Sequence, residues 1–170
     1  MVMDPLCACL FAKIAEQIDH ADRLLSLLPP AATGWRPPVP RDTRALWSVG
    51  ELAPHLLECM TGFLAVLLRL RPGDLAGLER YRGLPTPESI PALRDRMRTL
   101  RGEIESAFAL LGLADLSVTV PTVFVPAGEP ALTLLLGNLE HLINHKHQLF
   151  LYLRLMGIPA ATSDLYRLRA

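Results

Sequence analysis

The chain has 170 residues, a length typical of one domain with a single hydrophobic core. Its 17 Lys and Arg residues are balanced by 17 Asp and Glu residues, so it lacks the positive charge that general nucleic-acid binding requires. Hydrophobic residues make up 51% of the sequence and charged residues 20%, which excludes a chain that stays disordered. We therefore predict one folded domain over residues 1–170.

Neither a membrane span nor a disulfide framework is predicted. The longest run without a charged residue, Leu116–Gly128, has 13 residues and two prolines, whereas a span needs about 20 apolar residues. Cys7, Cys9 and Cys59 are an odd number of cysteines in a chain large enough to fold without cross-links. We expect reduced thiols and a cytoplasmic location.

Apolar residues spaced three and four apart predict four helices, of which the first covers about 4–28 and ends at Pro29. The second begins at Ser48, because Ser48 and Glu51 form a capping-box pattern, and it continues to about residue 70. Pro54 falls at the sixth position of this helix and removes an internal hydrogen bond. The second helix is therefore expected either to begin later or to bend just before His55.

The third helix has Pro87 or Pro91 in its first turn and continues to about residue 111. Segment 117–125 is β-branched but contains Pro121, which predicts an ordered connection with at most a short extended strand. The fourth helix covers about 130–156, where Gly157 and then Pro159 are typical of a helix end. The expected fold is an all-α four-helix bundle with long connections, in which consecutive helices need not be neighbours.

Two histidines of the last helix are candidate metal ligands. His141 and His145 lie one turn and about 40° apart on one face, a spacing that suits chelation of one ion. They interrupt a stripe that should otherwise be apolar, and a buried imidazole needs polar partners for both ring nitrogens. Gln148 and Tyr152 follow on the same stripe, whereas His147 points to nearly the opposite side and is left out of the site.

The best partner for this pair is His55, on the inward side of the second helix. Three neutral imidazoles leave coordination positions open, as in catalytic metal sites. Alternatively, His55 is a core residue that donates to a backbone carbonyl, or Cys59 supplies a fourth ligand and closes the site. Glu58 could act as a general base, but an exposed surface position is the commoner role for Glu.

Two classes of metal enzyme are excluded by spacing. The zincin pattern needs Glu directly after the first His, and Leu142 occupies that place. Di-iron bundles need Glu-x-x-His on two helices, and no Glu precedes a His at that interval. A mononuclear site is therefore the better hypothesis.

Two segments give the chain a family resemblance. Residues 140–149, followed by Tyr152-Leu153-Arg154 and Gly157-Ile158-Pro159, resemble the last helix of the DinB/YfiT-like superfamily, and residues 47–57 resemble its second helix. The resemblance implies a four-helix bundle in which His55, His141 and His145 bind a divalent ion such as zinc or nickel. The chain departs from the family pattern at residue 146, where Lys replaces a common Arg, and at residue 147, where His replaces a common Gly.

The resemblance also implies a range of functions. Members with an assigned activity are similar to low-molecular-weight-thiol S-transferases and to a maleylpyruvate isomerase, many others are described as metal-dependent hydrolases, and homodimers are common. We therefore expect an enzyme whose metal activates a small thiol for transfer to a small electrophile. The alternatives are a hydrolase that uses metal-bound water and a non-catalytic homodimer that binds a metal or ligand. Gln148 and Tyr152 are expected to orient the ligands or the substrate, and packing in the core is an equally good interpretation of Tyr152.

Overall fold

Four long helices make up most of the chain in a computed structural model that describes residues 3–39, 46–81, 83–122 and 125–167. Their bounds are α1 (Pro5–Ser26), α2 (Val49–Leu70), α3 (Ile90–Phe108) and α4 (Ala131–Leu155). The only strands among the described residues are β1 (Thr119–Val120) and β2 (Glu129–Pro130), which pair antiparallel between α3 and α4. The predicted all-α class is confirmed.

The helix ends follow local sequence signals. The Asp4 carboxylate accepts hydrogen bonds from the first amides of α1, and Ser48 and Glu51 form the predicted capping box at the start of α2. Ser89 caps α3, which has Pro91 in its first turn and ends at Phe108, three residues earlier than predicted. After α4, Gly157 takes the left-handed conformation with φ of +77°, as predicted.

Helix α2 contains Pro54 and still forms one helix from Val49 to Leu70. The alternative in which this helix begins later is therefore wrong. Pro54 has no N–H, so the carbonyl of Gly50 lacks the helical hydrogen bond that residue 54 would otherwise donate. The capping box and the buried apolar face of α2 outweigh this loss.

The helices pack in a ring in the order α1, α3, α2, α4. Each of α1 and α2 contacts both α3 and α4, so α1 lies diagonally from α2 and α3 lies diagonally from α4, whereas α2 and α3 are neighbours. The long connections permit this arrangement, because α1 ends at Ser26 and α2 begins only at Val49, a separation in sequence that does not force the two helices to be neighbours. The contact between α2 and α4 is the most extensive, and it brings the two histidine-bearing helices together.

By length and composition, α2 could cross a membrane, although its charged residues interrupt it and it contains no long uncharged run. Its most apolar stretch of 18 residues is 61% buried within the bundle. Burial of this kind is typical of the core helix of a soluble protein. Its largest buried side chains include Met60 and Phe63, which are fully enclosed.

Candidate metal centre

Three histidines meet at the contact between α2 and α4. One ring nitrogen from each of His55, His141 and His145 lies within 4.8 Å of the others, and the Nε2 atoms of His55 and His141 are 3.1 Å apart. Within the described part of the chain these three form the only such group of His, Cys, Asp or Glu side chains, so His20 and His147 lie outside it. The tertiary structure thus brings together the three residues selected from the sequence.

Hydrogen bonds set the orientation of His145. The hydroxyl of Tyr152 donates to the carbonyl of Trp47 at 3.0 Å, so its oxygen accepts from Nε2 of Gln148 at 2.8 Å. The amide oxygen of Gln148 then faces Nδ1 of His145 at 3.0 Å and accepts a hydrogen bond from its N–H. This series of hydrogen bonds keeps the proton of the neutral His145 ring on Nδ1. Nε2 is then unprotonated, and an unprotonated ring nitrogen can bind a metal.

A carboxylate orients His55 in the same way. The Oε2 atom of Glu58 lies 2.7 Å from Nδ1 of His55, so this nitrogen donates and Nε2 keeps its lone pair. Two nitrogen ligands of a tetrahedral zinc ion, each about 2.0–2.1 Å from it, lie about 3.3 Å apart. The 3.1 Å between Nε2 of His55 and Nε2 of His141 fits a shared ion.

Partial desolvation favours the neutral imidazole at two of the three positions, although His141 is exposed and His145 only half-buried, so this stripe is not the fully buried one expected from the sequence. Desolvation lowers the pKa of His141, and the neighbouring His55 lowers that pKa further. Burial also lowers the pKa of His145, although the hydrogen bond from His145 to Gln148 acts in the opposite direction. Because a metal competes with protons for these nitrogens, lowered pKa values favour metal binding near neutral pH.

Comparison with known proteins identifies the family of the chain. The family model of the DinB superfamily matches residues 14–149. The chain belongs to the DinB superfamily. A solved structure of a DinB-like protein, YjoA from Bacillus subtilis, has a TM-score of 0.65 and 19% sequence identity, and the match covers 87% of this chain and 92% of that chain. This likeness shows a shared fold. No curated protein matches the sequence.

In this DinB-superfamily chain, Trp47 forms one wall of the histidine cluster. Its ring stacks on His145 with centroids 5.4 Å apart and meets His55 edge-on at 4.7 Å. In the sequence, Trp47 is only part of the segment that resembles the second helix of the family, and its pattern predicts no role for it. The available signal was its position, directly before the residue that caps the helix carrying His55.

Two side chains near His55 differ in their relation to the cluster. Cys59 is buried, burial raises its pKa to about 12, and it is not part of the group of possible ligands. The alternative of a site closed by Cys59 is therefore not supported. Glu58 has an exposed side chain, as expected, but its carboxylate contacts His55, a contact that the sequence pattern does not predict.

The two departures from the family pattern lie on other faces of α4. Lys146 is completely buried, and its Nζ donates to Oε1 of Gln17 at 2.5 Å and to the carbonyl of Leu165 at 2.9 Å. Nε2 of His147 lies 2.9 Å from the hydroxyl of Tyr166. Both residues therefore hold the segment after α4 against the bundle.

A cavity of about 350 Å³ opens beside the cluster. His55 and His141 border it, together with Glu58, Cys59 and Asn138. The volume is within the range of small-molecule sites. The arrangement therefore offers three imidazole ligands on one side and space for a small molecule on the other.

Proposed function

We propose that this chain is a mononuclear metal-dependent enzyme in which His55, His141 and His145 hold one divalent ion, zinc or nickel. The observation that carries the proposal is the convergence of three imidazoles beside an open cavity. Three protein ligands with an open position are typical of catalytic zinc sites, whereas structural zinc sites have four protein ligands.

The three imidazoles are suitable ligands for a divalent metal ion. A bound divalent ion would supply positive charge that lowers the pKa of a thiol or water molecule beside it. Glu58 and Gln148 keep the protons of His55 and His145 on Nδ1, so both Nε2 atoms are available as ligands. Trp47 covers one side of the cluster and limits access by water there.

The proposed reaction is transfer of a low-molecular-weight thiol to a small electrophile. The sulfur forms a bond to an electrophilic carbon, the leaving group departs with its bonding electron pair, and the thiol proton passes to solvent or to Glu58. The family resemblance supports this reaction, and so does the adjoining cavity, which has room for a small organic molecule. Hydrolysis by an activated water is the second candidate, because the exposed carboxylate of Glu58 borders the same cavity and could accept a proton from water.

Metal content tests the site. We expect about one equivalent of metal in the purified wild type and a large loss in His55→Ala and His145→Ala, measured by inductively coupled plasma mass spectrometry. His20→Ala is the matched control, because His20 is a half-buried histidine outside the cluster. If the two cluster variants keep as much metal as His20→Ala, the proposed ligand set is wrong.

Turnover assays separate the candidate activities. Metal-dependent conjugation of monochlorobimane with one of several low-molecular-weight thiols would support S-transfer. Metal-dependent cleavage of ester or amide substrates without any thiol would support hydrolysis. A metal-loaded protein with neither activity would favour a non-catalytic binding protein.

We also propose that the protein is a cytoplasmic homodimer and that its substrate is a small molecule. Cys7, Cys9 and Cys59 carry free thiols, which suits a reducing compartment. Exposed leucines on α4, including Leu151 and Leu155, supply apolar surface that a second copy could cover. Light scattering after size-exclusion chromatography measures the mass directly, and a monomer mass at micromolar concentration would contradict the dimer.

A further inference from the structure

A second cavity, of about 490 Å³, lies between α2, α4 and the segment that contains β1 and β2. Its lining is mostly apolar and includes Val66, Val120 and Leu134. Five polar side chains also line it, those of Arg69, Thr122, Glu129, Thr133 and Asn138. A largely apolar pocket with few polar groups is typical of a site for a small organic ligand.

This apolar cavity adjoins the cavity beside the histidines. Gly62, Ala65 and Asn138 line both. A Cβ atom at Gly62 would lie 2.6 Å from Oδ1 of Asn138, so the glycine leaves space for the Asn138 side chain to reach α2. Arg69 lies seven residues beyond Gly62 on α2, or about 10 Å along the helix, and is therefore at the end away from the histidines.

Two polar side chains that line the apolar cavity, Arg69 and Asn138, have N–H groups that can donate hydrogen bonds to a ligand. The guanidinium of Arg69 donates to the carbonyl of Pro121, and with five N–H donors it retains others for a ligand. Among the described residues, no partner forms a hydrogen bond with the side-chain amide of Asn138. Glu129 also lines the cavity, and its negative charge would weaken the binding of an anion there.

We infer that this cavity binds a small molecule with an apolar body and an anionic end group. The anionic end lies at Arg69, because a guanidinium matches the geometry of carboxylate or phosphate oxygens. The other end lies at Asn138 and points toward His141. The binding of such a molecule does not depend on the proposed function. Its role as a substrate does rest on that function, and the metal centre would then act on the end of an apolar, anionic molecule that lies near Asn138.

Calorimetric titration of the full chain with octanoate tests the inference. Octanoate should bind at least about tenfold more tightly than 1-octanol or octylamine, since a hydrogen bond to a charged group is worth about that much. Octyl phosphate, added in parallel, distinguishes a carboxylate site from a phosphate site. Equal affinities for octanoate and octanol would overturn the role of Arg69.

Two charge variants sharpen this test. Arg69→Met should weaken octanoate binding at least about tenfold and leave octanol binding unchanged, because it removes charge but keeps an apolar side chain of similar length. Glu129→Gln should tighten octanoate binding. If Arg69→Met binds octanoate as the wild type does, the assignment of the anionic end is wrong.

Filling the cavity provides an independent test. A Cβ atom at Gly137 of α4 meets nothing within 4 Å, and Gly137 lines the cavity, so the side chain of Gly137→Leu should occupy it. Gly102→Leu is the matched control, since Gly102 of α3 also has open space around it and borders none of the cavities described above. Leucine favours helix over glycine at both positions, so both variants should fold, as thermal unfolding would show.

Octanoate binding should be lost in Gly137→Leu and retained in Gly102→Leu, and equal binding in the two variants would overturn the inference. Titrations with metal-free protein keep this result apart from the proposed function. Octanoate binding with the stated variant effects would support the cavity even if the histidines hold no metal. Metal binding without octanoate binding would support the metal centre and refute the cavity.

Discussion

The role of Gln148 leads to a quantitative prediction about metal affinity. Gln148→Met keeps a side chain of similar length but removes the oxygen that accepts the Nδ1 proton of His145. The half-buried imidazole then has an unpaired donor in the metal-binding tautomer, at a cost of about 1–3 kcal/mol. This cost corresponds to a zinc affinity about 10–100-fold lower, which is also the range for other residues that orient metal ligands.

Tyr152→Phe should have a smaller effect in the same direction. Without the hydroxyl, the Gln148 amide loses the acceptor that fixes which of its two ends faces His145. The amide can then rotate and still bond His145, so the zinc affinity should fall by up to about tenfold. The order of zinc affinities should be wild type, Tyr152→Phe and then Gln148→Met.

Competition with a chromophoric zinc indicator at pH 7.5 measures these affinities. Asn144→Met is the matched control, because Asn144 is an exposed amide side chain on the same helix and is not part of the cluster. Nitrogen NMR of the metal-free protein provides a second readout, since the tautomer of His145 should be defined in the wild type and mixed in Gln148→Met. Equal zinc affinity in Gln148→Met and Asn144→Met would refute the orienting role.

Three further predictions concern stability, each measured by urea denaturation with a metal chelator present. Burial lowers the pKa of Lys146 from 10.5 to about 8, so between these values the folded chain has released a proton that the unfolded chain still binds. The free energy of unfolding should therefore rise by about 3 kcal/mol from pH 8 to pH 10.5 relative to Lys146→Met, and a constant difference would contradict this. Pro54→Ala restores the hydrogen bond to the Gly50 carbonyl and should stabilise the fold by about 1–3 kcal/mol, whereas an unchanged midpoint would show that the proline costs nothing there. Asp22→Ala removes the paired hydrogen bonds between α1 and Arg94 of α3, at 2.7 and 3.0 Å, and should destabilise the fold by about 1–2 kcal/mol, with the exposed Asp74→Ala as control.

Much of the candidate site could be predicted from sequence because its parts are local to one helix. The one-turn spacing places His141 and His145 on one face, and the same helical repeat places Gln148 where it reaches His145. Trp47 could not be predicted in this way. Its contact with His145 joins residues 98 positions apart, and no periodicity extends across the connections between them.

The buried Lys146 shows a second limit of sequence reasoning. By residue type a lysine is expected at the surface, but helical spacing places Lys146 on one stripe with the buried Leu142, Leu149 and Leu153. Its burial depends on Gln17 of α1 and on the backbone of Leu165, both distant in sequence, which supply acceptors for the amine. Without those acceptors, burial of the amine would be prohibitively unfavourable.

The sequence by itself determined a neutral, apolar chain of four helices, their caps and the histidines that share a face, because these properties depend on residues within one or two turns. Only the tertiary structure decided that α2 lies beside α4 and diagonally from α1, which places His55 against His141. Long connections impose no order on the helices, so the packing of their apolar faces selects the neighbours. The same packing leaves two adjoining cavities between α2 and α4, where the proposed metal ion and the proposed small molecule would meet.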